Sequence, residues 1–135
     1  MSVAMTTDAV IERRKTVTRR KGWWLDKNGR RLLHVGDTLT LCRKVQGRKP
    51  GEPIERLAEV EVVGVSREVL GRIVWEPEYG RGEVAAEGFP DMEPFEFYDR
   101  YFVSAQGIGI VEEVTRIEWR YVCGSGFCEC GGCVL

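Results

Sequence analysis

A chain of 135 residues with 43% apolar and 30% charged side chains has the size and composition of one ordinary domain, able to bury roughly two-thirds of its unfolded surface. No apolar run approaches the about 18 residues of a membrane span, and MSVAMTTDAVIERR lacks the basic-then-apolar order of a secretory leader, so a cytoplasmic protein without a membrane anchor is the expectation. The net charge of −1 hides a segregation: residues 1–21 hold six basic and two acidic side chains, net +4, whereas residues 22–135 hold fourteen and nineteen, net −5.

Thr7 and Asp8 are N-cap residue types ahead of a short helix running to about Arg14. KTVT, which follows, is β-branched and extended in character. The surrounding segment RRKTVTRRKGWW (13–24) places six Lys and Arg around two threonines and ends in paired tryptophans. A polar turn at Asp26–Gly29 and a Gly36-Asp37 turn lead to a strand over 38–45, with Leu39 and Leu41 on one face. GRKPGEP (47–53) reads as a loop. LAEVEVVGVSRE (57–68) carries the strongest strand signal, and VLGRIVW (69–75) reads as a further strand weakened by Gly71.

From Glu83 the pattern turns helical. EVAAEG (83–88) is a short helix stopped by Gly88. Pro94 opens a second, with Phe95, Tyr98 and Phe102 at helical spacing. VTRIEWRYV (114–122) returns to near-alternation through Val114, Ile117, Trp119 and Tyr121. Strands with two or three short helices and no βαβ rhythm indicate an α+β, barrel-like domain over residues 1–122.

Residues 123–135 form a separate cysteine-rich tail. Cys123, Cys128, Cys130 and Cys133 follow the spacing Cys-x4-Cys-x-Cys-x2-Cys, which matches the ligand count of a tetrahedral zinc site but not its usual paired spacing. A reduced flexible tail, a zinc site and disulfides are all open readings, and the tail is accessory to the domain. His34 is the single histidine, which removes His-based catalysis and His-rich metal sites. No cofactor is required by anything in residues 1–122.

Four segments in order, RKTVTRR (14–20), HVGDTLTL (34–41), VAAEGFPDMEPFEF (84–97) and VTRIEWRY (114–121), together resemble the ASCH domain family, whose fold is a small β-barrel related to the PUA domain. EGFP and TRIEW look most like ASCH-domain proteins carried by phages. The resemblance spans roughly residues 10–122 and is more distant to the amidohydrolases that deacetylate N(4)-acetylcytidine. Those enzymes use a Lys, a Thr and a Glu, matched by Lys15, Thr18 and Glu87, and carry an Arg two residues after the threonine, matched by Arg20. The neighbours of the glutamate differ, being Ala86 and Gly88.

Amide hydrolysis needs a nucleophile, a proton acceptor and positive charge at the developing oxyanion. Lys15 qualifies as a base where neighbouring arginines depress its pKa by repulsion. A strand places residues 15 and 18 on opposite faces, so their pairing demands a bend. A binding module asks less: Arg14, Arg19 and Arg20 contact phosphate, and Trp23 or Trp24 stacks an unpaired base, one of the two being buried and the other lining the cleft. The expected function is therefore binding of RNA or a modified nucleoside in a basic cleft, with hydrolysis of an acylated cytidine as its enzymatic form. The alternatives are a ribonuclease, or a phage accessory protein that engages a protein partner through its acidic 76–99 surface with Phe89, Phe95 and Phe97.

Overall fold

The structure, a computed structural model, describes residues 1–43 and 50–122. The cysteine tail with its candidate zinc ligands, Cys123, Cys128, Cys130 and Cys133, lies outside the described residues.

Among the described residues four antiparallel strands form the framework: β1 (Val17–Arg20), β2 (Thr38–Cys42), β3 (Arg56–Val69) and β4 (Glu113–Tyr121), in the spatial order β1-β4-β3-β2. The two longest strands are central, where β-branched residues such as Val60, Val62, Val65 and Ile117 can pack on a pleated surface. A bulge between Val62 and Gly64 adds local twist, and the sheet curls into a half-barrel. Both edges are covered. The first residues lie along β2, with Val3 N–H donating to the Cys42 carbonyl and Cys42 N–H to that of Met1, each at 2.8 Å. At the other edge, Thr16 N–H, just ahead of β1, donates to the Ala86 carbonyl at 2.8 Å, which ties the end of a helix to the start of that edge strand.

Among the described residues four α-helices accompany the sheet, where two or three were expected: α1 (Thr7–Ile11), α2 (Arg72–Trp75), α3 (Pro77–Ala86) and α4 (Pro94–Tyr98), the last continuing as a π-turn over Asp99–Ser104. The strand read over 69–75 is corrected. The ladder ends at Val69, and Leu70 and Gly71 donate to the carbonyls of Glu112 and Ile110. The chain then coils into α2, braced by an Arg72–Glu76 ion pair one turn apart. Capping of α1 differs too. Its N-cap is Thr6, which makes no side-chain cap bond, and the Thr7 hydroxyl donates back to Val3 and Ala4 carbonyls.

Two apolar cores share the sheet. Val60, Val62, Ile117 and Trp119 bury one against Val10 and Leu41. Val114 and Leu70 meet Ile73, Val84, Phe97 and Phe102 in the other. Between them, β4 passes through Thr115 and Arg116, where the interior turns polar.

Candidate functional site

The site begins with a bend. Arg13 takes φ +60°, and Arg14 N–H returns to the Ala9 carbonyl, so Lys15 lies ahead of β1 instead of within it. This bend lies ahead of the Lys15–Thr18 span, and no hydrogen bond joins the two side chains among the described residues. The Lys15 carbonyl accepts from the Trp119 indole at 3.0 Å and from the Tyr121 hydroxyl, both on β4. Trp119 N–H donates to the Thr16 carbonyl at 2.9 Å. Two β4 aromatics thus fix the backbone that carries Lys15.

Glu87 arrives from the other half of the chain as the C-cap of α3. The helix stops because Gly88 adopts φ +113°, and a Cβ there would come 3.0 Å from the Ala9 methyl. That contact seats the end of α3 against α1 and brings Glu87 to Lys15. Lys15 Nζ donates to the Glu87 carbonyl at 2.8 Å, to Glu87 Oε1 at 3.1 Å and to the Val17 carbonyl at 2.8 Å. Three ammonium protons therefore meet three acceptors, and one of these is an orphan carbonyl at a helix C-terminus. Burial pulls the Lys15 pKa below its ordinary value, against the charge and hydrogen bond of Glu87; repulsion from Arg20 and Arg19 is a lesser contribution. The repulsion expected from the sequence is real but secondary to desolvation.

Arg19 is fully committed. Its Nε donates to Glu68 Oε2 at 2.8 Å, Nη1 to Glu87 Oε2 at 3.0 Å, and Nη2 to Glu83 and to the Tyr79 hydroxyl. It faces Arg116 directly across the β1–β4 ladder, a like-charge pair that would repel. Glu83 resolves the repulsion by accepting from both guanidiniums. Burial pushes the Glu83 carboxyl up, but Arg116 and Arg19 outweigh it and hold it at about 2. Tyr79, desolvated and donating to Glu68, is pushed up to about 12. Nothing in the spacing of these glutamates announced the network; the one available signal was a pair of carboxylates four apart on a helix, Glu83 and Glu87.

Lys15, Thr18, Arg19, Arg20 and Glu87 line one cavity of about 310 Å³ beside edge strand β1. Its far wall is aromatic, with Phe89 stacked on Tyr101 at 4.7 Å between centroids and Phe97 and Phe102 beside them. Residues Ser2–Thr6 form a third side, and Gln106 stands among the lining residues. The Thr18 hydroxyl makes no hydrogen bond among the described residues, to Lys15 or to any other group. Every sealed side-chain nitrogen and oxygen among them has a partner, so this hydroxyl, on a residue that is itself buried, keeps some exposure where Thr18 lines the cavity. Arg20 donates from Nη2 to the Ser2 carbonyl; burial lowers its pKa, with the Glu87 charge opposing.

The remaining expected residues lie elsewhere. Arg14 is exposed, pairs with Glu12 at 2.5 Å and borders a separate hollow beyond Ala4–Thr6. Trp23, at φ +69°, packs against the first core. Trp24 lies under the Arg31 guanidinium, 3.7 Å from its ring centre. Both tryptophans are half-buried and neither lines the cavity, which corrects the split expected for them: positive φ at Trp23 breaks the strand alternation on which it rested. Of the three phenylalanines read as a contact surface, Phe97 is buried, Phe89 is half-buried against it, and only Phe95 is exposed. No helix among the described residues is long and apolar enough to cross a membrane.

No family model matches the sequence, and no curated protein matches it. Among solved structures, the crystal structure of an ASCH domain from Lactobacillus crispatus JV V101 superposes with a TM-score of 0.58 at 14% identity, over 87% of this chain and 70% of that one. This superposition shows that the chain has the α+β fold of an ASCH domain.

Proposed function

We propose that the cavity beside β1 binds a nucleoside, either free or at an unpaired position in RNA, with the base against the aromatic wall and its polar edge toward Thr18 and Glu87. The observation that carries this reading is the pairing of a stacked aromatic wall with a polar end in one concavity. Its volume lies at the lower end of the roughly 300–1,000 Å³ of small-ligand sites. Aromatic faces suit any planar base, and a few convergent polar groups fix its orientation. The ion pairs of Lys15 and Arg19 with glutamates leave little free charge for gripping a phosphate backbone, so a pocket for a single base fits better than a basic groove.

Binding is placed ahead of hydrolysis because all three Lys15 protons are engaged and no hydrogen bond runs from Thr18 to it. Hydrolysis is kept as a second reading on one observation, the unbonded Thr18 hydroxyl in the same cavity as Lys15. In that reaction Lys15 must first give up one ammonium proton; the neutral amine takes the Thr18 proton as the Thr18 oxygen attacks the acetyl carbon of N(4)-acetylcytidine. The C–N bond then breaks with that proton returned to the cytidine amine, and water hydrolyses the threonine ester to acetate.

Calorimetric titration with cytidine and N(4)-acetylcytidine tests both readings. Saturable binding, weakened at least fivefold by Thr18→Val or Glu87→Gln, is expected. Heat indistinguishable from dilution for both ligands would overturn the nucleoside reading. Release of cytidine from N(4)-acetylcytidine, abolished by Lys15→Met, would establish the enzyme.

A further inference from the structure

Charge in and around the cavity is matched except at one residue. Lys15 is paired with Glu87. Arg19 is shared among Glu68, Glu83 and Glu87, and Arg116 returns to Glu83. Arg72 also reaches Glu68 and Arg116 also reaches Glu118, so each of these cations has at least one carboxylate partner. Arg20 is the exception. It is partly buried in the same wall, and among the described residues its one hydrogen bond goes to a neutral backbone carbonyl, that of Ser2, with no carboxylate in ion-pair reach. Because every sealed side-chain nitrogen has a partner, its Nε and Nη1 donors are not sealed, and the space that Arg20 borders is the cavity. A guanidinium held out of bulk water without a counter-ion is costly, and its planar fork matches carboxylate and phosphate oxygens.

We infer that the ligand of this cavity carries an anionic group that Arg20 receives, which makes it a nucleotide with a phosphate adjoining the bound base rather than an uncharged nucleoside. The inference rests on the nucleoside reading and deepens it by naming the substrate class. The base occupies the aromatic side. The phosphate supplies the charge that the protein leaves unmatched, while the Ser2 carbonyl holds the guanidinium in place. A terminal phosphate monoester and a phosphodiester within a strand share this chemistry, and the experiment separates them.

Calorimetry would compare cytidine, its 3′- and 5′-monophosphates, the dinucleotide CpC and inorganic phosphate at low salt. At least one phosphate-bearing ligand is expected to bind ten or more times tighter than cytidine. That gap should shrink as salt rises and collapse in Arg20→Met. Arg20→Lys, which keeps the charge and loses the fork, should retain part of it and serves if the Met variant does not fold. A preference for a monophosphate identifies a monoester ligand; a preference for CpC identifies a strand. Competition by inorganic phosphate against the preferred nucleotide supports the same subsite. Equal affinity of cytidine and every phosphate-bearing ligand, or a gap that survives Arg20→Met, overturns the inference and leaves the nucleoside reading standing. Failure of all five ligands to bind overturns both.

Discussion

Lys15 ends in a cage of three oxygens, two of them backbone carbonyls that no other side chain serves. Lys15→Met would strand those carbonyls and leave Glu87 with Arg19 alone in a buried setting. Breaking a buried ion pair by removing one partner costs about 3–5 kcal/mol, and a loss of that size is expected in the denaturant midpoint of the variant. A change below about 1 kcal/mol would mean the cage is not holding α3 against β1. Glu83 makes a second prediction. Its folded-state pKa of about 2 lies below the ordinary value of 4.5, so its pairing with Arg19 and Arg116 stabilises the fold fully above about pH 4.5 and is lost as pH falls toward 2. Melting temperature should drop through that window, and Glu83→Gln should start lower at neutral pH and show a shallower acid slope. Parallel acid profiles for the two proteins would refute this role.

Among the elements, α3 is the one whose two ends decide whether a cavity exists. A Cβ on Gly80 would lie 1.8 Å from the Ile73 carbonyl oxygen, so only glycine lets α3 cross α2 this closely. Gly88 combines φ +113° with the Ala9 contact. Gly88→Ala should cost about 1–3 kcal/mol from backbone strain and weaken ligand binding, because it moves the residue after Glu87. An unchanged melting temperature would contradict the tight seating of α3 on α1. The stop at Gly88 was legible because glycine after an apolar helix is a local signal. The helix over 72–75 was not, since a short apolar run reads equally as strand or helix and its state is decided by the close packing of Gly71 on Ile110. Likewise the start of α3 at Pro77 lay hidden, because Gly80 and Gly82 depress the helical signal of its first turns.

Across the whole molecule, the fold class was readable because β-branched runs and turn residues are local properties that chain order preserves. Lys15, Thr18, Arg20 and Glu87 were singled out from the sequence, and the fold brings all four to one cavity. What the sequence concealed was charge pairing. The basic strip at 13–21 reads as a positive surface, yet Lys15 and Arg19 are buried and matched by carboxylates 49 to 72 residues away. Partners that distant in the chain have no spacing rule. The aromatic wall was hidden for the same reason: Phe89 and Phe97 read as a contact surface for a protein partner and Phe102 as one face of a helix, whereas the fold gathers all three at the cavity. The direct test is amide chemical-shift mapping during a titration with cytidine 3′- and 5′-monophosphate. Perturbations should saturate and concentrate at Ser2–Thr6, Thr18–Arg20, Glu87–Phe89 and Gln106. Saturable shifts confined to Trp24 and Arg31, or no shifts at all, would show that this cavity is not where the protein meets its ligand.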